Sequence, residues 1–138
     1  MQLIAVDPGD VHVGVARFFG KRFYESFETD PVTVLQYLTD KDFDEVVVES
    51  YKFHPGSSFN AYSDLPTVRL IGAIAYACAI KDKPIVMQDS TILAIIKKTP
   101  YYKKAEGART VPRSPHAASA FCHGLYRTHL SPARNRYT

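Results

Sequence analysis

Two carboxylates stand where apolar runs end in turns, and an imidazole and a hydroxyl recur at helical spacing far downstream. Asp7 follows Leu3-Ile4-Ala5-Val6 and precedes Pro8-Gly9, while Glu49 follows Val46-Val47-Val48 and precedes a polar stretch. Asp, Pro and Gly are ordinary turn residues, so Asp7 by itself reads equally as a turn and as a ligand. Glu49 repeats the arrangement. Two buried strands that end in acids can bring those acids side by side at one sheet edge, which is how a metal site made of oxygen ligands is assembled. In Ser114-Pro115-His116-Ala117-Ala118-Ser119-Ala120-Phe121-Cys122-His123, the residues His116, Ser119 and His123 share one helix face. The alanines leave room for that face to approach the acids, so that His116 can reach a metal or water held between them. A lone histidine at a helix start is more often a core residue, but its register with two strand-end acids favours a functional role.

The elements that must position these groups follow from periodicity. Residues 2 to 7 read as a buried strand, 12 to 18 as a second and 22 to 28 as a third, with a tight turn at Gly20-Lys21; together they form an antiparallel meander. Asp30 is a candidate N-cap with Pro31 at the first helical position, and Val34, Leu35 and Leu38 supply the apolar stripe of a helix to residue 39. Residues 44 to 49 return as a strand. A loop over 50 to 65 carries Tyr51, Phe53, His54, Phe59 and Tyr62, and long loops of this kind are functional or disordered. Asp64 and Pro66 open a helix over 66 to 81 that is apolar nearly all round and therefore reads as buried. Its small residues admit close packing within the chain or at a subunit interface. A short strand over 84 to 87 and a short helix over 90 to 98, capped by Asp89 or Ser90, precede a basic loop to Ser114, and Pro115 starts the last helix. Hairpin-linked strands followed by strands alternating with helices indicate an α/β fold, with a mixed sheet flanked by helices.

The 138 residues, 46% of them hydrophobic, fit one domain with a proper core. Cys78 and Cys122 lie in apolar surroundings without a pairing motif, as reduced core residues of an intracellular protein do; neither suggests a zinc site, and the chain is expected to fold without disulfides. No run approaches the roughly 18 apolar residues of a membrane span, and the start lacks the features of a signal peptide, so a soluble, cytoplasmic protein is expected. The net charge of +3 hides an asymmetry: nine of the 17 Lys and Arg fall after residue 96, against one of the 14 acids, Glu106. In residues 97 to 113, Lys97, Lys98, Lys103, Lys104, Arg109 and Arg113 interleave with Tyr101 and Tyr102. Cations that neutralise phosphates beside rings that stack on bases point to nucleic acid. Residues 128 to 138 read as a flexible basic tail on a domain over 1 to 127.

Strand, Asp7-Pro8-Gly9, the strand ending at Glu49, Leu65-Pro66-Thr67 leading into Leu70-Ile71-Gly72-Ala73, and the last helix with His116 together resemble the RuvC-like Holliday junction resolvases, particularly the compact phage-encoded members, within the ribonuclease H-like superfamily. The resemblance spans nearly the whole chain and implies a ribonuclease H-like fold with a five-stranded mixed sheet. It also implies a site at Asp7, Glu49, His116 and Ser119, with Asp7, Glu49 and His116 holding Mg²⁺ or Mn²⁺ for hydrolysis of phosphodiesters in four-way or other branched DNA. Two symmetric cuts imply a homodimer, and a phage-encoded chain would work in the host cytoplasm. Tyr51, Phe53 and Phe59 would insert at an opened branch point or pack their loop onto its own domain.

Ser119 departs from the family, in which that position is normally Asp, and a neutral serine removes one of the charges that bind a hard cation. Three outcomes follow: Ser119 acts through a water, Asp10 or another nearby acid compensates, or the nuclease is attenuated and keeps its DNA-binding shape. A ribonuclease H-like nuclease acting on structured RNA is an alternative, as is a catalytically weak branched-DNA-binding protein. A sugar-kinase-like phosphate-binding domain also starts with an acid and a glycine after a strand, but a chain this short lacks the second domain that closes over a nucleotide.

Overall fold

The computed structural model describes residues 1–9, 11–50 and 64–131, apart from the side chains of residues 64 and 65. Strands β1 (Gln2–Asp7), β2 (Val13–Phe19) and β3 (Arg22–Thr29) form the expected antiparallel meander. Strands β4 (Glu45–Glu49) and β5 (Ile85–Gln88) add to the other side of β1 in parallel, giving a five-stranded mixed sheet of order β3-β2-β1-β4-β5. Helix α1 (Pro31–Asp40) starts as its sequence dictates: Asp30 accepts a hydrogen bond from the Thr33 amide at 2.8 Å, and Pro31 occupies the first turn.

The sheet separates two apolar layers. Ile4, Val6, Val13, Val15, Val46 and Val48 face α1 and helix α2 (Asp64–Ile80), meeting Val34, Leu38, Leu70 and Ile74. Leu3, Ala5, Ala16, Phe18 and Val47 face the other way, against Ala120, Phe121 and Leu125 of helix α5 (Pro115–His129). β1 and β4 are buried on both faces, which accounts for their unbroken apolar runs. At the end of the sheet remote from Asp7, Glu45 and Arg127 form a bidentate pair with both N···O distances 2.6 Å and both side chains almost fully buried, tying α5 to β4.

Three expectations need correction. The helix over residues 64–80 is not buried all round: Leu70, Ile74 and Cys78 form its inner stripe, while Val68, Tyr76 and Ile80 are exposed. The basic stretch before Ser114 is not a continuous loop, because helix α3 (Ile92–Lys97) is followed by helix α4 (Pro100–Gly107). Thr99 caps α4 by accepting from the Tyr102 amide, and Pro100 supplies its first turn. The last helix runs to His129, past the boundary expected at 127, because Leu130 and Thr128 bond back to the carbonyls of Tyr126 and Gly124. Cys78 and Cys122 are free and buried, and no described helix is long and apolar enough to cross a membrane.

Candidate functional site

The strand register places one row of residues straight across the sheet. Glu28 on β3 lies opposite Gly14 on β2, and Gly14 lies opposite Asp7 on β1. Glu49 follows Val48, the partner of Val6, and pairs with Gln88 on β5. Directly opposed residues point to the same face of a sheet, so Glu28, Asp7, Glu49 and Gln88 all face α5. That helix answers them in order. The Ser114 hydroxyl donates to Glu28 Oε1 at 2.6 Å, His116 Nδ1 lies 3.3 Å from Asp7 Oδ2, and Ser119 Oγ donates to Glu49 Oε2 at 3.1 Å. His123 Nδ1 is 2.9 Å from Gln88 Oε1, and its Nε2 is 3.4 Å from Glu49 Oε2.

Gly14 is what lets helix and row meet. A Cβ there would stand 1.9 Å from the His116 carbonyl oxygen, so only a glycine admits the first turn of α5 against β2. Ser114 fixes that turn by capping the Ala117 amide at 3.4 Å while it holds Glu28. Gly9 does the same for the turn after Asp7, where a Cβ would meet the His12 carbonyl oxygen at 2.1 Å. His12 then lies 3.4 Å from Glu28 and stacks on His116, ring centroids 6.0 Å apart.

Electrostatically the row is a carboxylate pair short of positive charge. Burial, and then the neighbouring Glu49 carboxylate, pushes the Asp7 pKa up to about 8. Burial also opposes ionisation of Glu49, but hydrogen bonds with His123, Asp7 and Ser119 outweigh it and hold Glu49 below its usual value. The pair therefore keeps one proton unless a cation replaces it. A cleft of about 110 Å³ opens over the two acids, bounded by Pro8, Ser50 and Thr67 of α2. Among the described residues no three His, Cys, Asp or Glu side chains form a ready metal cage. Two adjoining carboxylates on an open cleft still fit Mg²⁺, which keeps several waters and takes one or two protein carboxylates.

Asp7, Glu49, His116 and Ser119 thus converge, although Ser119 spends its hydroxyl on Glu49. His123, Gln88, Glu28 and His12 also belong to the row. His123 was on the expected helix face, whereas Gln88 and Glu28 become visible only through the register of three strand pairs. Asp10, Tyr51, Phe53 and Phe59 lie outside the described residues. In the basic segment, Lys97, Lys98, Tyr101, Lys103, Lys104, Arg109 and Arg113 are exposed, whereas Tyr102 is half-buried against the α5-side core.

No family model and no curated protein matches this sequence. Solved structures do. RuvC of T. thermophilus in complex with a Holliday junction substrate superposes with a TM-score of 0.74 at 18% identity, over 97% of this chain and 96% of that one. A Thermus thermophilus RuvC structure gives 0.69 at 19% identity over 97% and 96% of the two chains. The fowlpox virus Holliday junction resolvase gives 0.63 at 15% identity over 92% and 97%. End-to-end coverage by these structures identifies the fold of this chain as RuvC-like, within the ribonuclease H-like class.

Proposed function

We propose that the chain is a structure-selective endonuclease that cleaves four-way or other branched DNA by divalent-metal-assisted hydrolysis, as a homodimer. One observation carries this reading: two strand-end carboxylates lie side by side under the first turn of α5 in a RuvC-like fold. Asp7 and Glu49 would hold Mg²⁺ or Mn²⁺, with His116 as a further ligand. A bound divalent ion supplies charge for the phosphoryl oxygens and a more acidic water.

The chain's own residues would do the rest. His116, held by Asp7 and half exposed, is placed to orient a water or to accept its proton. Ser119 and His123 fix the rotamer of Glu49, which is the role left to position 119 without a charge. The exposed Lys and Arg of residues 97–113 would bind backbone phosphates, with Tyr101 beside them.

Four-way junctions assembled from oligonucleotides provide the test. Wild-type protein is expected to cut them in Mg²⁺ or Mn²⁺, and Asp7→Asn and Glu49→Gln to lower the rate roughly 10²-fold or more while junction binding survives. Tight binding without cleavage in either metal would instead support an attenuated junction-binding protein, for which neutral Ser119 is the favouring observation. Preferential cleavage of structured RNA would move the substrate class.

A further inference from the structure

Beyond the carboxylates, the second half of α5 borders another cavity, of about 470 Å³. That volume falls within the roughly 300–1,000 Å³ of small-molecule sites. Its floor is apolar, made by Phe121 and Leu125 of α5 and Phe23 of β3. One face of α4 makes the wall: Tyr101, Lys104, Ala105 and Ala108 fall at helical spacings of three, four and seven. The two alanines leave the space that larger side chains would fill. Lys104 and, from the β2–β3 turn, Lys21 stand at the rim, and neither pairs with a carboxylate among the described residues. Among the described residues no acid lines the cavity. Tyr101 is 43% exposed, and its ring centroid lies 4.4 Å from that of His129, so it presents a supported aromatic surface.

An apolar, aromatic-lined floor under two unpaired ammonium groups suits a planar group that carries an anion. A purely aliphatic occupant would leave both lysines unused, and the basic C-terminal residues of this chain would meet like charge. We propose that this cavity takes one unpaired nucleotide of a DNA strand, its base against Tyr101 and Phe23 and its phosphate between Lys21 and Lys104. Phe121, Leu125 and His129, which line it, fall two, six and ten residues after Ser119, so it runs from about 3 to about 15 Å along α5 past the acid row, and the strand it holds flanks the one being cut. The choice of DNA rests on the branched-DNA reading, but the pocket is tested without cleavage.

Amide spectra of the full chain, titrated with a hexathymidylate, with thymidine monophosphate and with inorganic phosphate, are the measurement. The hexamer is expected to shift Tyr101, Lys104, Thr110 and His129. Ala108→Trp, which plugs the cavity from its exposed rim, should weaken hexamer binding at least about fivefold, the scale of one lost base stack. Lys104→Gln, a surface change that leaves folding intact, should weaken binding and reduce its salt dependence by about one ion. Hexamer binding unchanged in both variants overturns the proposal. So do equal shifts from phosphate alone, which would mean an anion site without a base, and mononucleotide binding as tight as the hexamer's, which would mean a free-nucleotide site. Asp7→Asn separates the two readings, because it should lose cleavage and keep these shifts; a wild type that shifts but never cuts sinks the nuclease reading only.

Discussion

At the scale of single residues, the site is a balance of negative charge that its neighbours only partly offset. With its pKa lifted from 3.8 to about 8, Asp7 favours its protonated form in the folded state. That contribution to stability is fully present below the unfolded value and is lost as pH rises through the folded one. Without divalent ions, Asp7→Asn should therefore melt higher than wild type, with the gap widening by about 1.4 kcal/mol per pH unit from pH 5 to pH 8. Thermal melts across that range in a chelator decide the matter, and a constant gap would mean that Asp7 ionises without strain. Ser119 gives the opposite case. It donates to Glu49 and adds no charge, so Ser119→Asp puts a third carboxylate against the pair. Without metal that variant should lose about 1 kcal/mol through like-charge crowding. In junction cleavage it should reach half-maximal rate at severalfold lower Mg²⁺, and an unchanged Mg²⁺ requirement would show that position 119 stands outside the ion's surroundings.

At the scale of elements, the approach of α5 to the sheet turns a row of polar residues into a site, and two glycines set that approach at different heights. Gly14 meets the backbone of His116, which cannot yield, whereas a Cβ at Gly124 would meet the Phe18 ring at 2.1 Å in the apolar layer beneath. Gly14→Ala and Gly124→Ala should both destabilise by about 1–3 kcal/mol through overpacking. Only Gly14→Ala should also lower junction cleavage at least tenfold at temperatures where both variants are folded, since it alone lifts His116 off Asp7; urea melts beside cleavage rates distinguish them. The same elements explain what was legible in the chain. Strands β1, β2 and β4 were readable because valine-bearing apolar stretches end in turn or polar residues, β3 because its residues alternate after the Gly20-Lys21 turn, and α1 because Asp30-Pro31 is an unambiguous start. Helix α4 is hard to read because none of its residues is fully buried and its lysines and tyrosines form no apolar stripe, although Thr99-Pro100 carries the same start signal as Asp30-Pro31. Asp7, Glu49 and His116 were legible as a group through strand ends and helix spacing. Glu28 and Gln88 were not, because their membership depends on which residues of separate strands fall opposite one another, and no local pattern records that.

At the scale of the whole molecule, the site sits on the α5 side of the sheet, and on the other side lies an apolar surface that no described residue covers. Val68, Gly72, Tyr76 and Ile80 recur every four residues along α2 and so form one ridge, with Tyr76 70% and Ile80 68% exposed. Beside it lies a groove of about 320 Å³ between α1 and α2, bordered by Leu35, Ala73 and Ala77. A ridge beside a groove supplies the two shapes that a two-fold contact brings together. Gly72 adds to the fit, since among the described residues nothing lies within 4 Å of a Cβ built there and a partner's backbone can approach closely. Under the proposed function the copies must pair, because one site cannot cut two strands at once. The wild-type chain is therefore expected to sediment at twice its 15.5 kDa, and Tyr76→Asp, which puts an unpaired charge in the middle of the ridge, at the monomer mass. Tyr76 contributes little to the core, so the variant should keep the wild-type melting temperature extrapolated to low concentration. On a supercoiled plasmid carrying a cruciform, paired cuts within one binding event give linear product and single cuts give nicked circles. Tyr76→Asp should move the product from linear to nicked while leaving the rate of the first cut within a few fold. Linear product from a monomeric variant would detach paired cutting from this surface, and a dimeric Tyr76→Asp would put the contact elsewhere on the molecule.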